Sequence, residues 1–412
     1  MSSDARRECC FGAADILLPR TAEWEKWAVI ACDQFSARPE YWRRVRAFVG
    51  GAPSSLHLIL PEAELGGERA RRVREIHAQM RRCLDEGLFT EYRDAFVYVE
   101  RSLLDGTLRR GLVGAVDLER YDYGSDARTS VRATERTVAE RLPPRIEIRR
   151  QAALELPHVL LLCDDEKDRI LGPLSAEKAG LPLLYDFTLM EQGGRIAGYL
   201  VQGEAARRLR RSLEEYEAAA GAGAVLYGVG DGNHSLAAAK ACWEELRQGL
   251  SARERERHPA RRALVELENL RDPCQQIEPI HRVVLHTDAS ALLRAAQEEI
   301  GAAQGCPVPW VSGGESGALR LETGSGELPV SILQGFLDRY LAARPGEIDY
   351  IHGEEELRAL AAAGDAVGFL LPAIGRDELF RGIAAGGVLP RKTFSMGHAR
   401  EKRYYLEARR LL

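Results

Sequence analysis

Short apolar runs alternate along the chain with stretches of helical periodicity. That pattern predicts an α/β or α+β protein with mixed sheets and flanking helices. Residues 27–31 are apolar and predict a buried strand whose end presents Asp33 and Gln34. Tyr41, Trp42 and Val45 then fall at helical spacing behind Ser36 and Pro39. A strand is expected at 56–60, a long amphipathic helix over 68–88, and strands at 96–101 and 111–118. Residues 134–142 read as a helix that stops at Pro143-Pro144.

Residues 158–163 form a continuous apolar run, the mark of a central strand. Strands at 183–190 and 195–202 flank the turn Gln192-Gly193-Gly194. A helix over 204–220 and a strand at 224–229 follow, then a glycine-rich turn and a helix over 235–246. Further strands are expected at 263–269 and 282–286. Beyond 287 helices are expected at 289–300, 330–341 and 354–363, strands at 348–351 and 367–371, and a charged terminal helix over 400–412. Three subdomains follow from this reading: 1–150, 151–286 and 287–412.

The strand–turn–helix at 224–246 carries the strongest chemical signal. Gly230-Asp231-Gly232-Asn233-His234-Ser235 is rich in residues that tolerate left-handed backbone. The following helix has Leu236, Ala239, Trp243 and Leu246 on one face. Its first N–H groups would point into the turn and, with the helix dipole, form an anion site. Gly230 and Gly232 let backbone approach a phosphate. Asp231 could hold Mg²⁺, and His234 could donate to a phosphoryl oxygen or accept a proton. The same residues also suit an ordinary turn: Asp-Gly bends the chain, and Asn233 or Ser235 caps the helix. The spacing is neither that of a Walker A loop nor of a dinucleotide-binding loop.

Other groups could converge on that turn. Arg132 and Thr134 combine a cation and a hydroxyl at an element start, with Glu135 as a base or metal ligand. Glu278-Pro279-Ile280-His281-Arg282 leads into a strand and could aim His281 or Arg282 into a cleft. Lys392, Thr393 and Ser395 lie in a dense group of cations and hydroxyls that could close over a phosphate. Asp33 at a strand end is the candidate acid in a cleft.

Composition narrows the choice. The 412 residues carry 62 acidic and 57 basic side chains, a net charge of -5, so a nucleic-acid role has no electrostatic support. No apolar run is long enough to cross a membrane and no apolar h-region follows the N-terminal charges, so no signal peptide is visible and a cytoplasmic protein is expected. Eight cysteines without a CxxC pair indicate neither a zinc ribbon nor a thioredoxin motif. No GxSxG or HExxH occurs. Six basic residues are lysine and the other 51 arginine. Coding bias is enough to explain that excess, yet the two residues are not equivalent at a phosphate.

Five blocks taken in order resemble one family. They are 27–34, 132–135, 230–236 with Lys240, 278–282 and 390–397, and the resemblance is to the bacterial domain-of-unknown-function family numbered ten-fifteen. It covers nearly the whole chain and implies membership without implying an activity. The Asp-Gly-Asn-His segment is also similar to a turn of the ParB/sulfiredoxin superfamily, which includes partition-protein CTPases, sulfiredoxins and an ADP-dependent kinase of free serine. There the turn and following helix receive nucleotide phosphates. Ser235 stands where those proteins usually carry arginine, so Arg282, Arg132 or Lys392 is expected to supply that charge. Four of the six lysines (Lys26, Lys240, Lys392 and Lys402) fall in or beside these blocks.

The resulting expectation is a nucleotide-dependent phosphotransferase acting on a small hydroxylated metabolite, using Mg²⁺ with ATP, ADP or CTP. Asp33, Glu135, Asp231, His234 and His281 are the expected catalytic residues, with Asp231 as metal ligand. Gly230, Gly232, Asn233, Ser235, Arg132, Thr134, Arg282, Lys392, Thr393 and Ser395 are expected on the phosphates. The alternatives are an NTP hydrolase or switch, and a non-catalytic binder of an anionic or phosphorylated metabolite. Neither nucleic acid nor membrane is expected as a partner, and a homo-oligomer is left open.

Overall fold

The computed structural model describes residues 9–31, 35, 38–61, 64, 68–221, 223–324, 327–397 and 399–412. Asp33, with Cys32, Gln34 and Ser36, lies outside the described residues.

The fold is mixed α/β, built on a large mixed sheet and a smaller antiparallel one, with flanking helices. The path through the larger sheet runs Tyr121–Asp122, Val131–Ala133, Tyr227–Asp231, Leu160–Cys163, Arg262–Asn269, Leu108–Asp117, Phe89–Ser102, Arg195–Val201 and Leu183–Thr188. Side chains on its strands alternate between two cores. Val97, Val99 and Val113 enter one with Trp27, Tyr41 and Leu406. Phe96, Tyr98 and Leu112 enter the other with Tyr227 and Trp243. Both faces are therefore covered, which is why its central strands read as unbroken apolar runs.

The first and second expected subdomains share this sheet, because strands from 89–133 and 160–269 interleave in it. The smaller sheet has the order Glu315–Leu321, Cys306–Ser312, Val367–Phe369, Ile277–Leu285 and Glu347–His352. Phe394–Met396 pairs with the start of Ile277–Leu285, joining Ser395 to Glu278. This sheet thus begins before residue 287.

Four local expectations change. Pro143-Pro144 opens a helix, Leu142–Arg150, and does not end one. The first helical turn needs no N–H partner, so proline is suited there. Residues 134–138 ahead of it form no helix. The 27–31 run is no regular strand: a short helix, Trp24–Trp27, gives way to a single bridge between Val29 and Tyr405. At 56–60 a 3₁₀ turn, Ser55–His57, replaces the expected strand.

The fourth change is the C-terminal tail, which has no helix over 403–412. It runs extended through the interior. Leu17 bridges Ala408, and Arg409–Arg410 pairs with Leu154–Glu155. Its charges are neutralised inside the protein. Arg403 reaches Glu266 at 2.7 Å and Glu407 at 2.5 Å, and Arg409 reaches Glu155 at 2.7 Å, all of them buried. Removing one member of such a cluster leaves its partners as uncompensated buried charge. Among the described residues no helix is long and apolar enough to cross a membrane. Arg403→Ala is expected to lower stability by about 3–5 kcal/mol, measured from the shift in urea midpoint at constant slope.

Candidate functional site

Tyr227–Asp231 lies between a parallel neighbour, Val131–Ala133, and an antiparallel one, Leu160–Cys163. The antiparallel register shifts between Val229 and Asp231, a local irregularity at the strand end that carries Asp231. At Gly230 a Cβ would sit 2.9 Å from Leu162 and 3.1 Å from the Met396 sulfur, so a larger residue would force the Leu162 side chain to shift. Gly232 has φ +81° and lies against the main chain of Val159, which a Cβ would meet at 3.1 Å. This left-handed residue turns the chain directly into the 14-residue helix Asn233–Leu246. The helix has no side-chain cap at Gly232. Its positive end therefore opens on the space in front of the strand. Asp231 Oδ1 accepts from the Gly232 N–H at 2.9 Å.

The segment after Leu389 forms the opposite wall, and it is clamped on both faces. Glu135 accepts from the N–H groups of Lys392 at 3.1 Å, Thr393 at 2.9 Å and Phe394 at 3.4 Å. Three successive main-chain donors make an anion nest, and this carboxylate fills it. Burial pushes the Glu135 carboxyl up, against the pull of the three donors and of Arg282. On the other face Arg282 donates to the carbonyls of Ile280 (2.6 Å), Lys392 (3.0 Å) and Arg391 (3.3 Å), and to Gln334 (2.8 Å). It is fully buried, and burial lowers its guanidinium to about 10. The clamp holds Lys392 at φ +52°, a conformation unusual for a side-chain-bearing residue. Tyr350 lies under the turn. Arg282 lies 4.7 Å and Arg391 5.0 Å from its ring centre, with the Lys392 ammonium at 5.9 Å.

Between the two walls lies a cavity of about 580 Å³. One wall is apolar, with Leu58, Leu60, Met80, Ile148 and Leu156. Arg136, Arg141, Arg145 and Arg149 come from one segment of the chain, and Arg391, Lys392, Lys402 and Arg403 from another. Against these eight cations the described residues place four carboxylates: Glu135, Glu155, Asp231 and Asp349. Arg149 is neutralised by Glu155 at 2.6 Å, and Arg403 by its own buried partners. The surplus is still cationic, in a chain whose net charge is -5. A concave site lined by one sign of charge concentrates the opposite sign. Lys402 stands 3.5 Å from Asp231, with both side chains mostly shielded from water, and donates to the Met396 carbonyl at 3.1 Å.

The cavity gathers Glu135, Gly230, Asp231, Gly232, Asn233, His234, Ser235, Lys392 and Ser395 from the sequence reading. Within that group several polar atoms are already committed. His234 Nε2 accepts from the Val138 N–H at 3.1 Å, which places its ring proton on Nδ1. Ser395 donates to the Gly397 carbonyl at 3.1 Å. Asn233 Oδ1 is buried without a hydrogen bond.

Arg132, Thr134, His281, Arg282 and Thr393 do not line the cavity. Arg132 is buried and donates to the carbonyls of Thr129 (2.7 Å) and Gly223 (2.8 Å). Thr134 donates to the Val229 carbonyl at 2.6 Å, and Thr393 to that of Pro390 at 2.6 Å. Ile280 faces the cavity, so strand alternation turns His281 away. His281 Nδ1 accepts from the Leu371 N–H at 3.1 Å, and burial holds its ring below the usual histidine range. These side chains build the frame that presents the others. Lys240 likewise bonds the Leu118 carbonyl at 2.8 Å and Glu244 at 2.7 Å.

Tyr350, Lys402, His158 and Tyr405 line the cavity and were not singled out as site residues by the sequence reading. Two signals were available: Lys402 is a rare lysine, and His158 is a polar residue opening an apolar run. Among the described residues no cluster of three His, Cys, Asp or Glu side chains could hold a metal ion. Asp231, the carboxylate at the strand end, already contacts the Gly232 N–H through Oδ1 and Lys402 through Oδ2.

Several solved structures are distantly similar to this chain. A free serine kinase in complex with AMP is 14% identical at a TM-score of 0.39, over 72% of this chain and 91% of that one. SbnI from Staphylococcus aureus, with a C-terminal truncation, is 11% identical at 0.37, over 69% and 82%. A conserved hypothetical protein from Pyrococcus furiosus is 13% identical at 0.35, over 71% and 93%. Likenesses of this degree do not fix a function. No curated protein matches the sequence. Residues 16–409 match the family described as "Protein of unknown function (DUF1015)", and the chain belongs to that family.

Proposed function

We propose that the cavity binds a nucleoside phosphate with Mg²⁺, and that the protein transfers a phosphoryl group to a small hydroxylated metabolite. The observation that carries this reading is the excess of cations around the uncapped start of the helix Asn233–Leu246. In this reading the phosphates rest on the first N–H groups of that helix, between Lys392 and Lys402. The apolar wall at Leu58, Leu60 and Leu156 takes the base. Asp231 holds Mg²⁺ or orients the acceptor hydroxyl, and His234 donates from Nδ1 to a phosphoryl oxygen. Glu135 acts as the clamp of the 390–395 turn, since both its oxygens are occupied by main-chain donors. Phosphoryl transfer asks mainly for positioning and charge stabilisation, which this arrangement suits.

Binding without turnover is the second reading. It is favoured by the engagement of both Glu135 and His234 Nε2 with main-chain N–H groups, which leaves less base chemistry at hand. Phosphate released without an acceptor would mark the chain as a hydrolase instead.

Calorimetry with ATP, ADP and CTP, each with Mg²⁺, tests the site. At least one is expected to bind saturably, and Lys392→Ala to weaken it by about tenfold or more, the cost of a charged hydrogen bond. No binding of any of the three overturns the reading. Asp231→Asn is expected to retain nucleotide binding in the absence of metal and to lose the Mg²⁺-dependent increment. Glu135→Ala is expected to reduce affinity by roughly 1–3 kcal/mol through loss of the turn. Were Glu135 the base instead, its removal would slow turnover and leave affinity intact.

A further inference from the structure

Ser235, His158 and Tyr405 come from three distant segments and form one hydrogen-bonded chain on the cavity wall. Ser235 Oγ lies 3.4 Å from His158 Nε2. His158 Nδ1 lies 2.6 Å from Tyr405 Oη, and the two rings are 5.0 Å apart at 55°. Each member is fixed by the fold. Ser235 is in the first turn of the helix, its N–H donating to Gly232. His158 lies between Val159, which packs under Gly232, and Pro157, whose carbonyl accepts from Arg403 at 2.6 Å. The Tyr405 N–H donates to the Val29 carbonyl at 2.9 Å.

A weak nucleophile becomes useful when a base is within hydrogen-bond reach and a third group orients that base. This chain has that order: hydroxyl, imidazole, phenol. All three residues line the cavity, beside the Gly230–Asn233 turn. A hydroxyl in that place faces whatever anion the surrounding cations collect.

We propose that Ser235 accepts the phosphoryl group from the bound nucleotide as a phosphoseryl intermediate, with His158 as its general base and Tyr405 as the residue that positions His158. The proposal rests on the reading of the cavity as a nucleotide site. In the first step the Oγ–P bond forms and the P–O bond to the nucleoside phosphate breaks. The bonding pair leaves on that oxygen, and the Oγ proton passes to His158 Nε2, whose Nδ1–H donates to Tyr405 Oη. In the second step the acceptor hydroxyl attacks phosphorus and gives its proton to Asp231. Ser235 Oγ leaves with the bonding pair and recovers the proton from His158.

The full chain is incubated with Mg²⁺ and ATP or CTP labelled in the γ-phosphate, or ADP labelled in the β-phosphate, then quenched. Phosphate is expected on the peptide containing Ser235 and to be absent in Ser235→Ala. His158→Ala is expected to slow labelling by about 100-fold or more, the usual worth of a general base, with recovery on adding imidazole. Tyr405→Phe is expected to slow labelling roughly tenfold, a part of that same worth, without changing the nucleotide concentration that gives half the maximal rate. Label that never appears on Ser235 with any of the three nucleotides overturns the proposal. So does Ser235→Ala turning over nucleotide at the wild-type rate. Calorimetric binding by the same preparation shows whether the nucleotide-site reading falls with it or stands alone.

Discussion

The placement of the cavity depends on the double clamp around the turn at residues 390–395. Glu135 extends from the edge region of the larger sheet and gathers three main-chain donors. Arg282 rises from the smaller sheet and gathers three carbonyls, two of them from that turn. The turn is thus the joint between the two sheets. An anion meets the N–H face and a cation the C=O face, so both rows of backbone polar groups find partners within the protein. With the backbone so held, the side chains of Arg391 and Lys392 are left to project over Tyr350 at the cavity. The clamp works together with the pairing of Phe394–Met396 on the smaller sheet and the buried tail to bring distant segments to one cavity.

Arginine and lysine divide the work by their geometry. A planar guanidinium reaches several carbonyls or carboxylates at once and stays charged when buried. Arg101 shows this use beside Arg282 and Arg403. It is buried and donates to the carbonyls of Gly193 (2.8 Å), Glu401 (3.0 Å) and Lys402 (2.8 Å), and so fixes the backbone that carries Lys402. The arginine-rich composition thus supplies residues that this frame uses throughout. The ammonium groups of Lys392 and Lys402 stand at the cavity, where a compact charge on a flexible stem can follow a ligand.

Much of the architecture could be read from the sequence. Apolar runs both faces of which are buried, such as Leu160–Cys163, and helices with a clear apolar face, such as Ala289–Ile300, appear where the pattern puts them. The strand–turn–helix is there but shifted: Gly230 and Asp231 end the strand, Gly232 alone makes the turn, and the helix opens at Asn233. The facing of single side chains could not be read. Val131–Ala133 and Phe394–Met396 are three residues long, too short for a period of two to show which face is inward. Arg132 is expected on the ligand because the residues after it read as a helix start, but 134–138 form no helix and its guanidinium bonds the Thr129 and Gly223 carbonyls. The tail misled for a different cause. Its charges look solvent-facing in sequence, and only the distant Glu155 and Glu266 reveal that they are buried and paired.

A crystal structure of the chain with a bound nucleoside triphosphate analogue and Mg²⁺ would test the central claim most directly. The account predicts phosphate oxygens on the N–H groups at the start of the helix Asn233–Leu246, with Lys392 and Lys402 on the same oxygens and the base against Leu58 and Leu156. Phosphates seated elsewhere on the molecule, with this cavity filled by water alone, would contradict it.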